Sequence, residues 1–311
     1  METSLLREYP VSDPHLSNLV VAESEFVKSV RYLQTSPEAS LKCLLAQGSG
    51  SIYQLGKVFR DDPQGRWHSQ EFTMLEWYRI GFDLPALIDD IAGLIASVAL
   101  SCNENSARES DIHDGLLKSP KQSSYRDVFL KYAEIDPFNT STEALLEKIK
   151  RDIDAEFSIK PFFADADDSS NMAKDLCLDL IMAQLVQPKL GCGQPEFVCD
   201  YPGSQAALAK LSQDLHGNMI ACRAELFFNG IELANAYDEL CDAEEYLTRY
   251  ANDNLVRQAL GLAQVSIDEE LYAAMEKGLP ACAGVALGVD RLFALLRGEC
   301  NASIGTDTAC T

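Results

Sequence analysis

A few side chains in this sequence combine into chemistry that none of them carries alone. Arg60 and Arg291 sit in separate segments. Each guanidinium offers a planar fork of donors that matches phosphate oxygens. Phe72 supplies a flat stacking face, and Glu225 and Glu232 flank an Asn229-Gly230 turn that brings their segments together. Paired carboxylates suit magnesium, a hard cation that takes oxygen ligands. Each feature has an ordinary explanation when taken singly. An arginine at a strand end is commonly a surface residue, Phe72 and Tyr78 could be core, His68 could be a solvated loop residue, and the two glutamates could be an exposed pair. Together they specify a nucleoside triphosphate site with magnesium. No Gly-x-x-x-x-Gly-Lys-Ser/Thr loop occurs, so a P-loop does not hold the phosphates.

The elements that must position these groups follow from periodicity. Residues 51–60 and 72–79 alternate with period two, and an eleven-residue polar loop containing Asp61, Asp62, Arg66, His68 and Glu71 joins them. They are predicted to form an antiparallel hairpin. Thr35-Ser36-Pro37-Glu38 precedes a helix over 39–46, with Ser36 as cap, Pro37 in the first position and Glu38 at the positive end. Strands are predicted at 196–201, 223–228 and 231–236. Asn229-Gly230 makes the last two a tight hairpin, because both residues tolerate positive φ. A turn over 201–204 and a short helix over 205–211 are expected before that hairpin. Near the end, residues 284–296 read as an apolar strand, Gly288, then a helix with Arg291 in its first turn. Arginine there opposes the helix dipole, which suggests that it is held for an anion. Residues 1–34 read as strands and loops. Helices are expected over 85–100, 125–135, 142–157, 171–186, 243–260 and 268–277, a surface loop over 101–124 and an acidic turn over 165–170. The polar, mostly helical stretch 101–190 is therefore expected to be an insertion in a single α+β domain spanning 1–311, and the tail from Arg297 to be frayed.

Composition narrows the setting. The chain has 311 residues, a formal net charge of −22, ten cysteines and four histidines. That charge argues against extensive contact with nucleic acid, which needs a basic footprint. No Cys-x-x-Cys or His-Glu-x-x-His pattern occurs, so free, mostly buried thiols are expected rather than a zinc site. No apolar run is read as transmembrane and no signal segment is recognised, so a cytoplasmic protein without membrane contact is expected.

These residues carry a resemblance. Phe59-Arg60-Asp61-Asp62, with Arg66, His68 and Phe72, resembles the second motif of the class II aminoacyl-tRNA synthetases. Gly288-Val289-Asp290-Arg291 resembles the third. The segments 35–38, 72–78, 230–235 and 284–292 narrow the likeness to the lysyl type, and within it to the bacterial paralogues that modify elongation factor P. The likeness covers roughly residues 1–296. It implies an antiparallel sheet flanked by helices, ATP and magnesium as cofactors, and a lysine-like amino acid and elongation factor P as partners. By this resemblance Arg60 binds the α-phosphate, while Phe72 and Arg291 sandwich the adenine. His68 assists the triphosphate tail and Asp62 faces the adenine amino group. Asp61, Ser69, Leu226 and Gly288 belong to the same nucleotide site. Glu225 and Glu232 hold magnesium. Ser36, Pro37, Glu38, Glu76, Tyr78, Glu232, Asn235, Glu239 and Ala286 form the amino-acid site. There Glu38 meets the backbone-side amine, Glu76, Tyr78 and Glu239 meet the distal amine, and Asn235 lies on the carboxylate side. A buried ammonium must be paired, which such an acidic pocket achieves.

Several departures shape the expectations. No OB-fold anticodon-binding domain is expected before the catalytic part. Ala286 stands where the tRNA-charging enzymes usually have glycine, which would reshape the pocket floor towards a β-amino acid. Asp61-Asp62 replaces Asn-Glu, so the adenine contact is expected to be weaker or bridged by water. Met1 to Ser4 align with the end of the family's first motif, so a homodimer is expected if the helix before it is present. A fragment of a tRNA-charging enzyme and a non-catalytic binding module stay open as alternatives.

Overall fold

The computed structural model describes residues 1–26, 28–103, 111–153, 171–299 and 302. Two sheets organise them. A small antiparallel sheet near the N-terminus has the order β1 (Leu6–Arg7), β3 (Arg31–Leu33), β2 (Val20–Val21). The main sheet runs β4 (Ile52–Phe59), β5 (Glu71–Ile80), β11 (Cys282–Gly288), β10 (Ile231–Asp238), β9 (Met219–Phe228), β7 (Glu196–Pro202), β6 (Lys121–Ser124), with β8 (Leu211–Gln213) paired to β9. All its pairings are antiparallel except β6 with β7. The helices are α1 (Glu38–Ala46), α2 (Leu84–Asn103), α3 (Asp111–Leu116), α4 (Tyr125–Ala133), α5 (Thr142–Asp152), α6 (Asn171–Ile181), α7 (Ala243–Ala259), α8 (Glu269–Lys277) and α9 (Val289–Leu296). The α+β class and the antiparallel character expected from the sequence are both present.

Strand alternation gives this sheet two unlike faces. One face carries Trp77, Leu226, Ala234, Ala236, Val285 and Leu287, packed with Leu87, Ile88, Ile91 and Ile95 of α2 and Leu292, Leu295 and Leu296 of α9. The other face carries the polar groups described below. Helix α2 is long and apolar enough to cross a membrane by length and composition over Leu84–Cys102, contrary to the reading that no such run exists. Its apolar stripe is spent on the sheet.

The β9–β10 hairpin turns on Asn229 (φ 49°) and Gly230 (φ 77°), both left-handed as the tight turn requires. Two local expectations are corrected. Within the expected loop 101–124, α3 is helical and β6 joins the main sheet. Leu116 of α3 is buried in the core with partly buried Ile112 packed against it, and Lys-Gln-Ser-Ser of β6 has no apolar alternation to reveal a strand whose stability comes from backbone pairing with β7. The expected helix 205–211 is absent. Gly203–Gln205 form one 3₁₀ turn, Ala207 takes φ 46°, and Leu211 starts a strand. The predicted helix end over 154–157, the acidic turn 165–170, residues 104–110 and most of the tail beyond 299 lie outside the described residues. Eight cysteines among the described residues are free, but only Cys177 and Cys282 are buried.

Candidate active site

A single row of paired residues crosses the polar face of the sheet. Gln54 of β4 pairs with Glu76 of β5, Glu76 with Ala286 of β11, Ala286 with Asn235 of β10, and Asn235 with Glu225 of β9. Two residues along each strand the same face recurs. Tyr78 lies opposite Gly284, Gly284 opposite Tyr237, and Tyr237 opposite Arg223. Period-two alternation therefore places Phe72, Glu76, Tyr78, Ala286, Asn235, Glu239 and Glu225 in one cleft of about 870 Å³.

One end of the cleft is built for an anion. Arg60 follows β4, and its backbone N–H donates to the Gln70 carbonyl at 2.9 Å, closing the hairpin loop. Its guanidinium carbon lies 5.2 Å from the Phe72 ring centroid. Its Nε is buried and has no hydrogen-bond partner among the described residues. A buried, unsatisfied cationic donor is costly unless a ligand meets it. Arg291, on α9, donates from Nε to the Trp67 carbonyl at 3.1 Å and from Nη1 to the Glu232 carbonyl at 2.8 Å. Its Nη2 lies 3.1 Å from His68 Nε2. Burial and the Arg291 charge hold the His68 pKa below the ordinary histidine value. Asp290 anchors this helix by accepting the Thr73 N–H at 2.8 Å. Arg60, rather than Arg291, is thus the cation over Phe72 here.

Glu225 and Glu232 are not directly opposed. Glu225 pairs with Asn235 and Glu232 with Phe227, with a bulge between Glu232 and Ala234. Glu225 accepts the Tyr201 hydroxyl at 2.5 Å and an Arg223 N–H. Burial raises the Glu225 pKa, Arg223 opposes the rise, and repulsion from Glu232 adds to it. That repulsion is what a hard divalent cation would relieve, so the donor chemistry fits magnesium. No group of three or more metal-ligating side chains occurs among the described residues. A cation held by these two carboxylates would need further oxygens from a phosphate ligand.

The other end is an acidic chamber. Ser36 Oγ accepts the Glu38 N–H at 3.0 Å and donates to Glu76 Oε2 at 2.6 Å; Pro37, not Ser36 as expected, is the N-cap of α1, and Glu38 takes the first helical position. The Tyr78 hydroxyl donates to Glu76 Oε1 at 2.8 Å. Burial first, then the Glu38 charge, pushes the Glu76 carboxyl up to about 7. Lys42 Nζ lies 2.6 Å from Glu38 Oε1 and 2.6 Å from Glu239 Oε2. Burial works against the Lys42 charge, but Glu239 and Glu38 hold its pKa above the ordinary lysine value. Gly284 leaves room for this packing. A Cβ there would fall within 3.0 Å of Glu239 Oε1 and the Tyr78 ring.

Most expected site residues meet in this cleft. Arg60, Asp62, His68, Ser69, Phe72, Glu225, Gly288 and Arg291, expected at the nucleotide, line it. Ser36, Glu38, Glu76, Tyr78, Glu232, Asn235, Glu239 and Ala286 also line it. Three do not. Asp61 is exposed and lies 3.3 Å from the Gln70 amide, because its neighbour Asp62 takes the inward side. Leu226 points to the opposite, core face, as strand alternation after Glu225 demands. Pro37 is buried at the start of α1, outside the cleft lining.

The sequence reading missed Lys42, Arg223, Tyr201, Tyr237 and Gly284. Arg223 lies over the rings of Tyr201 and Tyr237, 4.5 and 5.8 Å from their centroids. Its Nε donates to Asn235 Oδ1 at 3.1 Å, while Asn235 Nδ2 donates to the Tyr237 hydroxyl at 2.9 Å. Two signals were available. Lys42 is four residues after Glu38 on one helix, and Arg223 is two before Glu225 on one strand.

The model of the tRNA synthetases class II (D, K and N) family matches residues 7–303. The chain is 39% identical over 304 residues to an elongation factor P--(R)-beta-lysine ligase of Proteus mirabilis (strain HI4320), covering 96% of this chain and 84% of that protein. It is 39% identical over 304 residues, with the same coverage, to the protein of that name from Photorhabdus laumondii subsp. laumondii. With that from Vibrio cholerae serotype O1 it is 40% identical over 305 residues, covering 96% and 85%. On these matches the chain belongs to the class II (D, K and N) tRNA-synthetase family, among the elongation factor P–(R)-β-lysine ligases.

Proposed function

We propose that this chain is an ATP-dependent ligase that adenylates (R)-β-lysine, or a similar diamino acid, and transfers it to the side-chain amine of one lysine of elongation factor P. The observation that carries this reading is the joining, in one cleft, of the unpaired Arg60 donor to a chamber with three buried or half-buried acids, Glu38, Glu76 and Glu239. The acids suit an amino acid with two ammonium groups, and Arg60 suits the phosphate that its carboxylate must attack.

In the first step a carboxylate oxygen of the amino acid attacks the α-phosphorus of ATP. The bond to the bridging oxygen breaks, and pyrophosphate leaves. Arg60 stabilises the charge that builds on the α-phosphoryl oxygens, and Phe72 stacks on the adenine with Arg291 over its other face. Asp62, Ser69 and His68 complete the nucleotide end. Asn235 orients the amino-acid carboxylate, because Arg223 and Tyr237 fix its amide. Glu225 and Glu232 would hold magnesium, which when bound would supply positive charge against the phosphates. In the second step the neutral acceptor amine attacks the adenylate carbonyl carbon, AMP leaves, and the amine loses a proton. No covalent enzyme intermediate is needed, so rate comes from positioning and electrostatics. Ala286 lies between Glu76 and Asn235 in the row, under the amino acid, and its methyl sets the floor height. The enzyme acts in the cytoplasm, without membrane contact or extensive contact with nucleic acid.

Pyrophosphate exchange with ATP, magnesium and each lysine isomer tests the first step. Intact-protein mass of elongation factor P tests the second. No exchange with any isomer would overturn the reading. The class II (D, K and N) family match also leaves tRNA charging as a second reading, which formation of lysyl-tRNA would support.

A further inference from the structure

Three acids, Glu38, Glu76 and Glu239, face the amino-acid end of the cleft, and Lys42 is ion-paired to two of them. Lys42 is 1% exposed, and so is Glu239, while Glu38 opens partly into the cleft with 29% of its side chain exposed. Both Lys42 ion pairs are 2.6 Å long. They join the first turns of α1 to the residue that follows β10, which are otherwise separate walls of the chamber. Glu76 is held from the third wall by Ser36 and Tyr78.

Burial favours the protonated forms of Glu76 and Glu239; with ammonium groups to pair with, Glu38, Glu76 and Glu239 carry three negative charges, and Lys42 cancels one. Two remain, which is the number of ammonium groups on a diamino acid. Without Lys42 the buried Glu239 would face Glu38 with no counter-charge, which is strongly unfavourable. Ammonium recognition by such a pair depends on where the carboxylates are held.

We propose that Lys42 is a positioning and specificity residue for the amino-acid substrate: its ammonium fixes Glu38 and Glu239 at their spacing and leaves the chamber with the charge that matches a substrate bearing two amines. The inference rests on the adenylation reading above and deepens it. Lys42 touches neither ATP nor the reacting carboxylate. Its effect is therefore confined to the amino-acid side.

The test compares Lys42→Met, Lys42→Arg and Lys42→Met/Glu239→Gln with the parent protein, using L-lysine and (R)-β-lysine as probes. In pyrophosphate exchange, Lys42→Met should raise the amino-acid KM about tenfold or more, while kcat and the ATP KM change less than about threefold. Lys42→Arg keeps the charge and should recover part of the loss. The double variant restores the charge count and should have a lower amino-acid KM than Lys42→Met. The amino-acid-induced rise in melting temperature provides a readout without turnover, and the ATP-induced rise shows that each variant folds. An unchanged amino-acid KM in Lys42→Met, or a loss shared equally by ATP binding and every variant, overturns the role of Lys42 alone. If the parent protein shows no exchange but lysine raises its melting temperature and not that of Lys42→Met, the adenylation reading fails and the role of Lys42 stands. If the parent neither exchanges nor gains stability from either amino acid, both are overturned.

Discussion

Replacing Gly284 with alanine perturbs the acidic chamber where packing is tightest. A Cβ at this position would lie closer than 3.0 Å to Glu239 Oε1 and to two carbons of the Tyr78 ring, whereas ordinary contact begins near 3.4 Å. Relief to ordinary contact requires a combined shift of roughly 1 Å. Neither neighbour can yield freely. Tyr78 is tied to Glu76 and Glu239 to Lys42, and both are buried. Overpacking of this kind costs about 1–3 kcal/mol. The cost in function should be larger, since misplacing binding groups by about 1 Å can lower rate about 100-fold. Guanidinium unfolding with an unchanged m-value should show the stability loss. Pyrophosphate exchange should show a raised amino-acid KM with the ATP KM near that of the parent. A Gly284→Ala protein with parental midpoint and parental amino-acid KM would refute the claim that Tyr78 and Glu239 close over a glycine to form the chamber.

Three further outcomes are expected. Arg60→Ala should abolish adenylation and leave the circular dichroism spectrum nearly unchanged, because the Arg60 Nε has no hydrogen-bond partner to lose among the described residues; a collapsed spectrum would show Arg60 to be structural. Ala286→Gly should shift preference towards α-lysine, read from kcat/KM for the two isomers, and an unaltered ranking would count against the pocket-floor role. Burial raises the Glu76 carboxyl to about 7 from 4.5, so between these values the folded state keeps a proton that the unfolded chain has lost. Stability must then fall as pH rises through that window. The melting-temperature difference between Glu76→Gln and the parent should move in favour of the variant from about pH 5 to about pH 8, and a difference independent of pH would contradict the shift.

The strands of the site were legible in the sequence because each alternates cleanly. Phe72, Met74, Glu76 and Tyr78 announced one face, and Asn229-Gly230 announced the β9–β10 hairpin. Strand β6 was not legible, since four polar residues carry no period and their pairing with β7 is set by the rest of the sheet. The short helix expected after Gly203 failed on the positive φ of Ala207, a conformation that alanine does not advertise. Within the site, residues carried over from the motifs reached the cleft where strand parity allowed. Asp61 and Leu226 did not, because each neighbours an inward residue on an extended chain. Lys42 went unnoticed for a different reason. A lysine four residues after a glutamate usually marks a solvated helix pair, and only the fold brings Glu239 against it from a segment about two hundred residues away.

The central claim is that one cleft activates a diamino acid and passes it to a protein lysine. Incubating the protein with ATP, magnesium, (R)-β-lysine and elongation factor P, then taking the intact mass of elongation factor P, tests it most directly. The expected result is the addition of a single lysyl group, dependent on ATP and lost in Arg60→Ala. An unmodified elongation factor P, under conditions where the enzyme exchanges pyrophosphate or charges tRNA instead, would contradict it.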